Sequence, residues 1–137
     1  SALTLINTDG DGYVKVITER IGIPTSTFRQ VVLANAQKAD KQAKIVYEQD
    51  RVVNGVKVWA YQLDAVASGV PFRFYGYCFG GKGGAIQVIT YTTQDLFPHK
   101  LDSFTTLLNG LEIDDQPATE PVAEQLADSN PGVLTVN

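Results

Sequence analysis

The residues that could carry out chemistry in this sequence are few, because it contains one cysteine and one histidine. A nucleophilic thiol needs a base such as a nearby histidine, and a zinc site takes several Cys or His ligands. Cys78 stands between Tyr77 and Phe79, as a small core residue would, and His99 stands at the predicted start of the last helix, as a solvated or capping residue would. The sequence therefore predicts no catalytic residue, no metal and no cofactor, and it favours a protein that is not an enzyme.

A calcium loop is the next candidate, because residues 7–14 imitate one. Asn7, Asp9 and Asp11 occupy its first, third and fifth positions, and Gly12 occupies the sixth. The bidentate acid of such a loop belongs at the twelfth position, which is Thr18. A hairpin turn built from Asp and Gly explains the same residues. We therefore predict a turn without a specific calcium site.

The glycine-rich run at residues 80–84 imitates a phosphate-binding loop around Lys82. Such a loop needs a Ser or Thr directly after its Lys and a helix that begins there. Neither feature follows Lys82, since the next predicted element is a strand. The run is predicted to be the flexible tip of a β-hairpin.

Aromatic side chains on neighbouring predicted strands offer the last candidate, a ligand-binding groove. The residues that could line it are Trp59, Tyr61, Arg73, Tyr75 and Tyr77. Such a groove would combine apolar walls with a few converging polar groups. Cross-strand packing within a sheet explains the same aromatics without any ligand, so both interpretations stay open.

Six strands and two helices must position these residues. Runs of β-branched and aromatic residues alternate with turn residues, among which Asn54-Gly55 is the strongest hairpin signal. Thr27 and Gln30 fit a capping box at the start of the first helix, and Pro98 suits the first turn of the second. The strands are predicted at 2–6, 13–21, 43–53, 56–63, 70–79 and 85–93, and the helices at 27–40 and 97–110.

The alternation of side chains predicts a sheet that is covered on both sides, since Tyr75 and Tyr77 would face one way and Phe74 the other. Lys57 and Arg73 are expected at strand edges or in contact with solvent. We therefore predict an α+β fold: a mainly antiparallel sheet of about six strands with both helices packed on it as an α/β/α sandwich. The last helix is predicted to bury one apolar stripe, formed by Phe97, Leu101, Phe104, Leu108 and Leu111.

Charge divides the sequence into a body and a tail. Up to Lys100 there are eleven basic and eight acidic residues, a net charge of +3, and beyond it there are seven acidic residues and no basic one. We predict one domain over residues 1–113 and an acidic, Pro/Ala-rich tail over residues 114–137. The tail is expected to dock on a basic surface of the same chain or of a second copy. Its expected apolar anchors are Val122, Leu126, Val133 and Leu134.

Overall charge and hydropathy argue against a nucleic-acid partner and against a membrane-spanning helix. The net charge of -4 argues against nucleic acid, because nonspecific binding to nucleic acid needs a basic surface. No apolar run approaches the roughly 20 residues that span a bilayer as a helix. A transmembrane segment is therefore not predicted.

Three segments resemble the PsbP-like family, which is named after the extrinsic protein of the oxygen-evolving photosystem and shares its fold with the Ran-binding nuclear import factor Mog. They are Tyr13–Glu19 (YVKVITE), the hairpin 53–59 (VNGVKVW), and the final helix with its Asn109-Gly110-Leu111 end. The resemblance covers residues 2–113 and implies the same α+β fold. The aromatic-rich opening strand of the family is not present, and no site is carried over, because no residue here matches a functional motif of the family.

The family includes lumenal photosystem subunits, import factors and bacterial lipoproteins, so the resemblance implies an accessory role. Our first interpretation is a noncatalytic binding or accessory module with a protein partner. We expect it to be bacterial and exported (periplasmic, lumenal or lipoprotein). We also expect its natural N-terminus to lie upstream of Ser1, because the sequence contains no Met. The alternative is a small-ligand carrier or an enzyme with an aromatic-lined pocket. Both a monomer and a dimer are compatible with the sequence.

Overall fold

A computed structural model describes residues 2–6 and 10–112 of the chain, with side chains described from Gly10 onward. The predicted tail at 114–137 and its anchors lie outside the described residues, as do Asn7 and Asp9 of the imitated calcium loop. The division of the chain into a domain and a tail therefore stays a prediction.

The described elements alternate strands and helices along the chain. The strands are β1 (Ala2–Ile6), β2 (Tyr13–Glu19), β3 (Lys44–Val53), β4 (Val56–Ala67), β5 (Val70–Gly81) and β6 (Gly84–Thr93). The helices are α1 (Phe28–Ala39), which follows a 3₁₀ turn at Thr25–Thr27, and α2 (Phe97–Asn109). The strands form one sheet in the order β1-β2-β6-β5-β4-β3, and every neighbouring pair is antiparallel. The predicted α+β class, with an antiparallel sheet and two helices, is confirmed.

Two-residue turns set the register of the central strands. Asn54 and Gly55 both have positive φ angles, 49° and 82°, as the predicted hairpin requires. Ser68 and Gly69 repeat this arrangement with φ angles of 51° and 78°. This second turn extends β4 four residues beyond its predicted end at Leu63, because 64–67 pair with 70–73.

Alternate residues of the sheet face opposite helices. We call the two sides the α1 face and the α2 face. On the α1 face, Phe28 and Val32 of α1 lie in a buried cluster with strand residues such as Leu63. On the α2 face, Phe104 and Leu108 are fully buried in a second cluster. Each helix therefore covers its own side of the sheet.

Two details of the predicted helices are wrong. Thr27 makes no capping hydrogen bond, because the preceding 3₁₀ turn places it in a helical conformation rather than an extended one. Leu101 was expected in the apolar stripe of α2 but is 37% exposed, whereas Lys100 is only 6% exposed. The methylene groups of Lys100 occupy the buried position, and its Nζ lies 3.8 Å from Oδ2 of Asp11.

The glycine-rich run forms the predicted hairpin, but its glycines also have a packing role. β5 continues to Gly81 and β6 begins at Gly84, so the turn itself is Lys82-Gly83. The backbone N–H of Gly80 donates to Oγ1 of Thr25 (3.1 Å), and that hydroxyl donates to the carbonyl of Gly80 (3.3 Å). The segment that leads into α1 is thereby held against the end of β5.

Neither helix in the described part of the chain has the length and apolar content needed to cross a membrane.

Candidate functional site

The five predicted ligand-binding residues lie on opposite faces of the sheet. Trp59 and Tyr61 of β4 point to the α1 face, where they belong to the cluster beneath α1. Tyr75 and Tyr77 of β5 belong to the cluster on the α2 face, and Arg73 alternates in phase with them. The five residues therefore form two separate groups rather than the lining of one groove. Ligand binding by either group stays a prediction.

Trp59 and Tyr61 are packing residues of the layer between the sheet and α1. Their rings stack 4.9 Å apart, and they are 7% and 2% exposed. Nε1 of Trp59 donates to Oε1 of Glu48 (3.3 Å), and the same carboxylate accepts from Nε of Arg29 on α1. Burial raises the pKa of the Tyr61 hydroxyl well above its ordinary value. A ligand could reach this pair only if α1 moved.

Arg73 is neutralised by a cross-strand carboxylate. Nε and Nη2 of Arg73 donate to the two oxygens of Asp64, at 2.7 and 2.8 Å, and this hydrogen bonding is the main reason that the pKa of Arg73 is raised. Cζ of Arg73 lies 5.4 Å from the ring centre of Phe97, which also contacts Tyr75 edge-on at 6.3 Å. Arg73 keeps part of its side chain exposed, and Lys57 reaches solvent beside Asp50, as predicted for both.

Tyr77 contacts two residues that the sequence did not indicate as site residues. It is fully buried, and its hydroxyl donates to Oδ1 of Asn109 at the end of α2 (2.6 Å). Cζ of Arg51, from the edge strand β3, lies 6.0 Å from the centre of its ring. Burial raises the pKa of Tyr77, and the hydroxyl of Tyr75 raises it further. The alternation along β3 places Arg51 on this face, but its contact with Tyr77 depends on the register of three strands.

A second group, which the sequence did not predict, forms an open aromatic surface on the α1 face, beside the area that α1 covers. Its ring contacts include a stack of Tyr13 on Tyr91 at 5.1 Å and approaches of Phe74 and Phe72 to Tyr91 at 5.1 and 6.4 Å. All of its residues are partly exposed. The open aromatic surface consists of Tyr13, Phe72, Phe74, Ile89 and Tyr91. Of these five residues, only Phe74 packs against the cluster beneath α1.

Cys78 and His99 are kept apart by the sheet. Cys78 is fully buried on the α1 face, whereas His99 belongs to α2 on the other side and is exposed. Burial raises the pKa of the Cys78 thiol far above its ordinary value. Cys78 is therefore a core residue, as expected.

We expect the thiol of Cys78 to react with a disulfide reagent only when the protein opens, because its burial hides the sulfur and disfavours the thiolate. At pH 8 the native protein should show a slow reaction, and protein in denaturant should react rapidly and stoichiometrically. The signal reports one position, since the sequence has one cysteine. Rapid, complete modification of the native protein would contradict the burial of Cys78.

In the segment whose sequence resembles a calcium loop, Asp11 interacts with other residues of the protein. One oxygen of its carboxylate lies 3.8 Å from Nζ of Lys100, and its carbonyl accepts from Oγ1 of Thr92 (2.6 Å). Both contacts attach the end of the loop to the body of the protein. Among the residues that the structure describes, no group of three His, Cys, Asp or Glu side chains comes together to hold a metal ion.

Comparison of the sequence with protein-family models and with curated proteins finds no match. Comparison of the fold finds a Pseudomonas aeruginosa protein of unknown function, described as a candidate regulator, with a TM-score of 0.64, 13% identity and 85% of each chain covered. It also finds cyanobacterial PsbP (CyanoP) from Synechocystis sp. PCC 6803, with a TM-score of 0.57, 11% identity and 77% of each chain covered. The arrangement of strands and helices described above is thus the PsbP-like fold that the sequence resemblance implied.

Proposed function

We propose that the protein is a noncatalytic binding or accessory module that binds a protein partner through the open aromatic surface. The observation that supports this proposal is the contact of Tyr91 with Tyr13, Phe72 and Phe74 on a part of the sheet where all four rings stay partly exposed. Aromatic residues are enriched at the centres of protein interfaces. Contiguous exposed apolar patches mark such interfaces more often than single exposed residues do.

The charge beside this surface suggests the chemistry of the partner. Lys15 lies on the same face of β2 as Tyr13, directly opposite Ile89 of β6. A partner that places apolar side chains on Tyr91 and a carboxylate against Lys15 would complement the surface. An accessory role agrees with the PsbP-like fold, which the chain shares with cyanobacterial PsbP and a candidate regulator. Both similar structures are bacterial, which supports our proposal of a bacterial protein. We also propose that it is exported, and that it has no nucleic-acid partner because its net charge is -4.

A capture experiment with two variants tests this function. The immobilised full chain should retain a stoichiometric protein partner from a lysate of the source organism. Tyr91→Ser should weaken the retained complex by at least about tenfold, as the loss of a central aromatic contact does. Leu101→Ser, an exposed apolar residue on the opposite side of the sheet, should leave it unchanged, and melting curves should show that both variants are folded. Equal binding by wild type and Tyr91→Ser, or metabolite turnover by the pure protein, would overturn the proposal.

The alternative function is a small-ligand carrier or an enzyme that uses an aromatic-lined pocket. The observation that favours it is the partly exposed Arg73–Asp64 pair, which lies against the rings of Phe97 and Tyr75. A ligand bound there would contact the guanidinium and aromatic edges together. It would raise the melting temperature of the wild type but not of Arg73→Lys.

A further inference from the structure

The guanidinium of Arg51 forms no ion pair with a carboxylate among the described residues. Arg29 and Arg73 each donate to a carboxylate, from Glu48 and Asp64 respectively. Nε of Arg51, by contrast, is buried and has no hydrogen-bond partner, and it is the one such side-chain atom in the described part of the chain. A buried donor without an acceptor destabilises the folded protein. The protein tolerates this cost at a half-buried position on an edge strand.

The surroundings of Arg51 hold its guanidinium without neutralising it. The side chain extends across β4, which has the small residues Val58 and Ala60 on this face, and its Cζ comes to 6.0 Å from the ring centre of Tyr77. That ring attracts the cation but offers no strong acceptor to Nε. The hydroxyl of Tyr77 donates to Asn109, and the hydroxyl of Tyr47, on the same face of β3, donates to Gln49. Neither oxygen accepts a hydrogen bond from Nε of Arg51.

We propose that Arg51 is the binding site for a carboxylate group, which would use the end of the guanidinium that the protein leaves unpaired. Among the described residues, no hydrogen bond or ion pair uses the Nη nitrogens of Arg51, and neither of them is a buried atom without a partner, so both reach the surface of this half-buried residue. A planar guanidinium binds a carboxylate through two parallel N–H···O bonds. The neighbouring ring of Tyr77 excludes water from one side of the guanidinium, which strengthens its attraction to an anion. This site lies on the α2 face and does not depend on the open aromatic surface.

The carboxylate has two sources, the chain's own acidic segment or a free acid. The point at which the described chain ends favours the first source. Nδ2 of Asn54, three residues after Arg51, donates to the carbonyl of Leu111 (2.6 Å), so the described chain ends beside the β3–β4 hairpin. Asp114 and Asp115 follow within four residues, a reach of up to about 13 Å. A tethered carboxylate of this kind competes at a high effective concentration.

Side-chain NMR of the ¹⁵N-labelled full chain tests the proposal, with the Nε–Hε signal of Arg51 assigned from Arg51→Lys. The double variant Asp114→Asn/Asp115→Asn should shift this signal if the chain supplies the carboxylate. The control Glu120→Gln/Glu124→Gln removes the same charge farther along the chain and should not shift it. Succinate is then titrated into each protein, with NaCl at equal ionic strength as the reference. The signal of Arg73, which is already paired, should stay constant throughout.

The outcomes distinguish the two sources of the carboxylate and can disprove the proposed site at Arg51. A shift in the Asp114/Asp115 variant, followed by succinate binding several-fold tighter than in the wild type, would identify the chain's own segment as the ligand. No shift in that variant, with saturable and equal succinate binding in both proteins, would identify a free acid. The proposal is overturned if the Arg51 signal responds to neither change, if NaCl reproduces the response, or if both double variants shift it equally.

Discussion

Gly80→Ala is expected to lower the free energy of unfolding by about 3 kcal/mol or more, because a methyl group at this position has no space. An ideal Cβ on Gly80 would overlap the carbonyl oxygen of Ile23 and would lie 2.9 Å from the backbone nitrogen of Thr25. Both atoms belong to backbone, so no side-chain rotation relieves the clash. The segment has to move away, which breaks the paired hydrogen bonds between Thr25 and Gly80. Since this segment leads directly into α1, its displacement also disturbs the cluster around Phe28.

Urea denaturation measures this effect, and a second glycine provides the control. Gly69 has a positive φ angle of 78° and nothing within 4 Å of an added Cβ. Gly69→Ala should therefore show only the conformational cost of a left-handed alanine, about 1 kcal/mol. The difference between the two variants isolates the steric effect of the close backbone approach. If Gly80→Ala costs no more than Gly69→Ala, the segment before α1 does not cross the end of β5 as described.

The elements that local sequence signals specify were predicted well. Asn54-Gly55 forms the expected hairpin because few residues accept two successive positive φ angles. The two helices were placed within one residue of their bounds, because proline, glycine and turn residues delimit them on both sides. Such signals act over a few residues, and a single sequence contains them directly.

The candidate sites depended on contacts between distant residues, which local signals do not contain. β4 was predicted to end at Leu63 because 64–67 lack a strong strand pattern, so its pairing with β5 was not available from the sequence. That pairing places Tyr61 opposite Gly76, whose missing side chain leaves room for the tyrosine ring. It also separates Tyr61 from Tyr75 and Tyr77. Likewise, the contact of Arg51 with Tyr77 follows from the register of β3, β4 and β5 together.

The buried stripe of α2 differs from the predicted one at the position where Lys100 lies near the carboxylate of Asp11. Apolar periodicity favoured Leu101 for the interior, because leucine at that position continues the line from Phe97 to Phe104. The structure buries Lys100 instead, with Nζ near Asp11. The helix is rotated so that the stripe runs through Phe97, Lys100, Phe104 and Leu108. A lysine becomes acceptable there because its stem packs as an apolar group while its charge reaches a carboxylate.

Phe104→Ala is the second large expected effect, a loss of about 3–5 kcal/mol of stability. Phe104 is fully buried, and its ring lies 6.2 Å from that of Phe97 at 55°. Removing it leaves a cavity between α2 and the sheet that the surrounding residues cannot fill without moving the helix. The unfolding midpoint in urea should fall at an unchanged m-value, since the folded state keeps its overall burial.

Leu101→Ala is the matched control, because it removes an apolar side chain from the same helix three residues earlier. At 37% exposure Leu101 keeps much more contact with water than the fully buried Phe104 does, so its truncation should cost clearly less, about 1 kcal/mol. The two substitutions distinguish two rotations of α2 about its axis. Phe104 is buried in both, whereas Leu101 is buried only in the rotation that periodicity alone predicts. A cost at Leu101 approaching that at Phe104 would therefore place Leu101 in the core and remove Lys100 from its position beside Asp11.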